Sequence, residues 1–186
     1  IEQLDRIISE TLWDSDSANQ TREKSDEIAE TEMATIRAVI GEISTKWRAA
    51  AFESFIDWLV GLMPGVQVKH HGDSGHGWDL LLRIEDPLSG AILHDEVPAQ
   101  CKNYQGDVDS QLPISDLKRS VRYSGSDIAY LFILGDLTDA FRQSIEAAQE
   151  ELSSPDRPVR LVIVDQDQIA RMYMSTLAEG PSDGPE

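Results

Sequence analysis

The sequence holds one cysteine, Cys101. A lone cysteine excludes an internal disulfide framework and a cysteine-based zinc site, and it fits a cytoplasmic protein. Long apolar runs are also missing: no stretch is long enough to span a bilayer. No signal-peptide pattern follows Ile1, and we expect the chain to be one trimmed module of a longer protein. Basic residues are scarce, with 16 Lys and Arg against 34 Asp and Glu and a formal charge of -18. Such a surface repels nucleic acid at long range, and anionic membranes as well.

What remains suits a folded domain with extras: 186 residues, 40% of them hydrophobic. Leu4, Ile7, Ile8 and Leu12, followed by polar "DSDSANQ", predict a helix and then a loop over residues 1–20. Met33, Ile36, Ile40 and Ile43 recur at three- and four-residue steps and predict a second helix over 21–44. It either packs on its own domain or pairs with another helix. Trp47 to Met63 predicts a third helix, stopped by Pro64-Gly65, with Glu53 at the edge of its apolar arc.

Strand signals follow at Val66 to Lys69 and Leu80 to Ile84. "DPLSG" is hairpin chemistry, and Ala91 to Leu93 with Val97 to Lys102 form the returning strand or strands. "PISDLKRSVRY" reads as a helix, "IAYLFILG" and "PVRLVIV" as buried strands, each followed by a helix. The order predicts a mixed α/β sheet with helices on both sides. Three segments result: a helical extension over 1–44, the main domain over 45–178, and a disordered tail over 179–186.

Three patterns compete for the chemistry. "HHGDSGHGWDLLLR", His70 to Arg83, contains Gly72-Asp73-Ser74-Gly75, the letters around the nucleophile of trypsin-like serine proteases. A serine nucleophile needs a histidine base, an orienting carboxylate and an oxyanion hole. His70, His71, His76 and His94 are available, but none stands in a context that marks a base. Ser74 therefore reads as turn filler. The histidines also offer a transition-metal site with Asp79. Adjacent His70 and His71 point to opposite faces of a strand, however, and surface or turn positions account for them better.

The third pattern is Asp79 with Gln100 and Lys102. Asp79 opens a strand after a Gly-rich turn, and Gln100 and Lys102 share one face of a later strand with Cys101 turned away. If the strands are neighbours, Asp79, the Gln100 oxygen and the Cys101 backbone carbonyl can serve a hard divalent cation. Lys102 can steady an oxyanion or help deprotonate water. Alternation alone accounts for polar residues at a strand end. A lysine in register with Gln100, beside a buried cysteine, has no obvious structural role.

On these residues the chain resembles the PD-(D/E)xK nuclease superfamily, in its Mrr-like restriction endonuclease branch. That branch has a helix bearing a glutamate, a Gly-rich turn into an aspartate and two hydrophobics, a hairpin, and "QCK" followed by an aromatic. Here those are "FESFIDWLV", "GHGWDLLLR" and "VPAQCKNY". "AYLFILGDLTDAFRQSIEAAQ" and "PVRLVIVDQDQIARMYM" resemble its closing strands and helices. The resemblance covers roughly residues 45–177. It implies a restriction-endonuclease-like sheet, with Asp79, Gln100 and Lys102 catalytic and Glu53 an accessory acid. It also implies Mg²⁺- or Mn²⁺-dependent hydrolysis of DNA by an effector of restriction or phage defence. The chain departs from the branch in a longer Gly-rich turn, in His76, and in Asp73 lying farther upstream. Pro98 confines pairing there to an edge or a strand start.

An acidic domain needs help to hold DNA. Lys118, Arg119 and Arg122 on the helix after Lys102, with Lys69 and Arg83 flanking the Gly-rich turn, are candidates for phosphate contacts. A solvated helix face explains them equally well. Residues 1–44 carry 11 acidic and 4 basic side chains, so part of the repulsion belongs outside the main domain. Another domain or subunit is expected to supply affinity or activation, and homo-oligomerisation is left open. The alternative is a nuclease-like fold without activity, serving as an assembly module.

Overall fold

The computed structural model describes the backbone of residues 2–73, 75–109 and 111–178, and side chains from Lys24 onward except Asp73. Ser74 and the tail over 179–186 lie outside the described residues. The chain divides into two compact units, Ile1–Ala38 and Val39–Glu186.

The first unit belongs to helix α1 (Glu2–Lys46). The loop expected at "DSDSANQ" is absent, and one helix stands where two were predicted. Residues 1–40 contain no Gly and no Pro. Asp, Ser and Asn each lower helix propensity by well under ~1 kcal/mol, which weakens a helix without breaking it. Side chains from Lys24 to Thr35 are exposed, among them Ile28 and Met33.

The second unit is a five-stranded mixed sheet flanked by helices, consistent with a restriction-endonuclease-like fold. After the end of α1, Ala49 takes φ 50° and α2 (Ala50–Gly61) begins. Strands β1 (Val66–Asp73), β2 (Trp78–Glu85) and β3 (Ile92–Val108) follow, then α3 (Leu112–Ser124), β4 (Ile128–Leu137), α4 (Asp139–Leu152), β5 (Arg160–Val164) and α5 (Gln166–Ala178). The spatial order is β1-β2-β3-β4-β5. The first three strands pair antiparallel, and β4 and β5 join in parallel.

Local chemistry explains the joints. The Asp86 carboxylate accepts from the Leu88 and Ser89 amides, at 3.1 and 2.7 Å, and closes the β2–β3 hairpin as an Asx turn. The two predicted return segments are one strand, irregular opposite Leu82 to Glu85, with Glu96 at φ 56°. Pro98 sits opposite Leu81 on β2, and β4 pairing begins only at Ala99. The proline thus occupies a strand interior, but on the stretch with one neighbour, where its missing N–H does no harm.

Alternation along β4 builds both cores. Ile128, Phe132 and Leu134 face Ile43, Trp47, the apolar side of α2 and Tyr173 of α5. Ala129, Leu131 and Ile133 face α3 and α4, through Leu117, Val121, Phe141 and Ile145. Each face is sealed, and these strands read as continuous apolar runs for that reason. Among the described residues no helix is long and apolar enough to cross a membrane.

Candidate active site

Pairing of β2 with β3 sets the site. Leu80 lies opposite Ala99, so the next rung puts Asp79 opposite Gln100. Gln100 and Lys102 are level with Leu131 and Ile133 of β4, which face α3 and α4. Leu80, Ala99 and Cys101 turn the other way, into the core beneath α2. The strand period of two separates chemistry from packing.

Asp79 Oδ2 is the focus. It accepts from the Cys101 backbone N–H at 2.7 Å and from the Gln100 side-chain amide. Lys102 Nζ stands 3.9 Å from the same oxygen. The structure therefore brings Asp79, Gln100 and Lys102 together. Burial pushes the Asp79 carboxyl above its ordinary value; the Cys101 N–H, Lys102 and the Gln100 amide oppose this, and the charge of Asp116 adds to it.

Gln100 is 2% exposed, and its Oε1 is buried with no hydrogen-bond partner. Buried polar atoms are nearly always satisfied, so an orphan invites explanation. An amide exchanges its oxygen and nitrogen by a half-turn. That half-turn sets Oε1 beside the carboxylate, the kind of oxygen pair a hard cation takes. The donor set thus fits Mg²⁺ or Mn²⁺, with the Cys101 carbonyl as a further candidate ligand. Among the described residues no group of three or more His, Cys, Asp and Glu side chains is placed to hold a metal. A cation at Asp79 would draw on amide, backbone and water oxygens beside the carboxylate.

Glu53 of α2 joins none of these groups by a hydrogen bond or ion pair among the described residues. Burial and then the charge of Asp79 raise its carboxyl, and Lys102 lowers it. It is a neighbour in the field, not a contact. Cys101 is buried, and burial first, then the charges of Asp79 and Glu53, push its thiol well above the ordinary range. That thiol is a packing group, not a nucleophile.

Asp116 was not among the sequence candidates. Its Oδ2 lies 4.0 Å from Lys102 Nζ, so the ammonium stands between two carboxylates. A signal was available: Asp116 flanks the apolar stripe Ile114, Leu117 and Val121 of α3, as Glu53 flanks that of α2.

The outer cations are placed differently. Lys69 and Arg83 both bind Asp95, with Lys69 Nζ at 2.8 Å and Arg83 Nε at 3.0 Å. Arg83 is four residues from Asp79 along β2, roughly 13 Å at ~3.3 Å per residue. Although these two flank the Gly-rich turn in sequence, they lie away from the Asp79 rung. Lys118 and Arg122 both bind Glu151, the latter at 2.7 Å, and Arg119 lies 3.8 Å from Asp116. Of the histidines, His71 faces Asp57 at 3.7 Å and His94 faces Asp127 at 3.5 Å, while His76 stacks on Trp78.

Compared with protein-family models and with curated proteins, the chain matches none. Geometry and residue chemistry carry the functional argument.

Proposed function

We propose that the second unit is a divalent-metal-dependent DNA endonuclease domain of the PD-(D/E)xK type, close to the Mrr-like branch it resembles. One observation carries this reading: a carboxylate, a buried amide with a partnerless oxygen, and an ammonium meet on one face of the sheet. Asp79, the Gln100 oxygen and the Cys101 carbonyl would hold the ion. Bound there, Mg²⁺ or Mn²⁺ supplies a Lewis acid for a phosphate oxygen and lowers the pKa of a bound water.

The chain's own groups do the rest. The Cys101 N–H fixes the orientation of the Asp79 carboxylate. Lys102 offers its ammonium to charge growing at phosphorus, and Asp116 keeps that ammonium near the rung. An amide at position 100 brings less negative charge than a carboxylate, which favours one firmly held ion over two. Under this reading the protein is a cytoplasmic effector of restriction or phage defence, and a further domain or subunit supplies DNA affinity.

The test is cleavage of plasmid DNA with Mg²⁺ or Mn²⁺. Wild-type protein should nick or linearise it, and Asp79→Ala and Lys102→Ala should not. Equal activity in all three rejects the assignment. A second reading, an inactive fold used as an assembly module, draws support from the formal charge of -18 and the acid facing every outer cation. A protein serving only as a scaffold shows no divalent-ion site that depends on Asp79.

A further inference from the structure

We propose that the face of α3 beside the Asp79 rung binds single-stranded DNA, with a base stacked on Tyr123 and a phosphate on Lys118 and Arg122. This rests on the nuclease reading for its choice of ligand, and it adds to that site a contact for an unpaired strand.

Tyr123 is 65% exposed, on the last turn of α3. An exposed aromatic is unremarkable alone, but this ring is held. His76 meets it edge-on with centroids 4.0 Å apart, and His76 stacks on Trp78 at 4.8 Å with planes 12° from parallel. Trp78 immediately precedes Asp79 in the chain. The three rings form a braced stack beside the start of β2, with Tyr123 at its exposed end.

The turn that carries His76 is seated on α3. Gly77 has φ +84°, and a Cβ there would lie 2.6 Å from the Asp116 carbonyl oxygen. Only glycine lets the turn approach so closely. Asp116 thus supports the platform through its backbone and meets Lys102 through its side chain. Pre-organised rings lose little freedom on binding, so stacking against them is efficient.

The cations complete the site. Lys118 and Arg122 are one helical turn apart and grip a single carboxylate, that of Glu151. With Ser115, Arg119 and Tyr123 they line a shallow cavity of ≈ 440 Å³. Glu151 shows that the pair spans an anion. Exposed ion pairs are weak, and a phosphate, with more charge and more acceptors, can replace the carboxylate. Only an unstacked base can lie on Tyr123, because a duplex hides its base faces. Stacking on an aromatic ring is also tolerant of sequence.

The experiment measures anisotropy of labelled oligothymidylate, an abasic strand of equal length, and a duplex of equal length, in low salt with a chelator. We expect oligothymidylate to bind roughly tenfold or more tighter than the abasic strand, the worth of about one base stack. It should also bind tighter than the duplex. Tyr123→Ala should erase the difference between thymidylate and abasic strands, and Tyr123→Phe should keep it. Glu151→Gln should tighten both strands alike. Equal binding of thymidylate and abasic strands, tighter binding of the duplex, a preference that survives Tyr123→Ala, or no binding by wild type and Glu151→Gln would each overturn the inference. No divalent ion is present, so cleavage plays no part. Lost base preference with Asp79-dependent cleavage intact sinks this inference alone. Base preference without Asp79-dependent cleavage sinks the nuclease reading alone.

Discussion

Lys102 and Lys118 are both lysines beside carboxylates, and they differ in kind. Lys118 closes on Glu151, shares it with Arg122, and the group is complete. Lys69, Arg83 and Asp95 form a second closed group on the β1–β3 surface. Lys102 makes no comparably short contact among the described residues. It stands 3.9 and 4.0 Å from two acids, beside a buried oxygen that has no donor. A closed cluster is matched in the free protein and opens only to a stronger anion, whereas the half-buried one holds its ammonium between two acids beside an unmatched oxygen. The same contrast appears in the acids. Charge partners hold Asp95 down at about 2, and Arg83 and Lys69 are the cause. Burial holds Asp79 up, despite its donors.

The contrast can be broken by mutation. The largest effect is expected at Lys102: Lys102→Ala should lower plasmid cleavage by roughly 10²–10³-fold, the scale for losing one preorganised transition-state donor. Asp95→Asn, in a closed group away from the rung, should lower it by far less or not at all. Next, Gln100→Leu should weaken Mn²⁺ binding by about tenfold or more. The metal-free melting temperature should change little, because the variant removes an orphaned buried acceptor, which costs about 1–3 kcal/mol, together with the amide's bond to Asp79. A clear drop in that temperature would mean Gln100 is structural.

Acid should move the two regions in opposite directions. Asp79 is raised above 3.8, so its ionised form is disfavoured by folding, and metal-free stability declines as pH rises from 3.8 through the raised value. Asp95 is lowered from 3.8 to about 2, so its contribution is full above 3.8 and lost as pH falls through about 2. Urea unfolding across pH should show Asp79→Asn flattening the upper part of the profile and Asp95→Asn the lower part. The smallest effect is expected for Glu151→Gln, which should leave the melting temperature nearly unchanged, since exposed pairs add little.

Much of the sheet was legible because its signals are local. "IAYLFILG" is apolar throughout and "PVRLVIV" is so apart from the exposed Arg160, and both strands pack on both faces. The spacing of Gln100 and Lys102 gave their shared face, because the strand period is fixed. The partner of that face was harder to read. Register between β2 and β3 depends on a hairpin with irregular pairing, and no spacing rule reports it. Asp116 escaped because its role depends on how α3 lies across the sheet. The polar run "DSDSANQ" predicts a loop and yet is helical, because it contains no residue that forbids a helix. Arg83 looked near the turn because sequence distance hides how far an extended strand travels.

The most direct test of the rung as a cation site is a Mn²⁺ titration followed by electron paramagnetic resonance, on wild type and Asp79→Ala. One bound ion in the wild type that disappears in the variant is the predicted result. Wild-type protein that leaves all the Mn²⁺ free, or a variant that binds as wild type does, would contradict it.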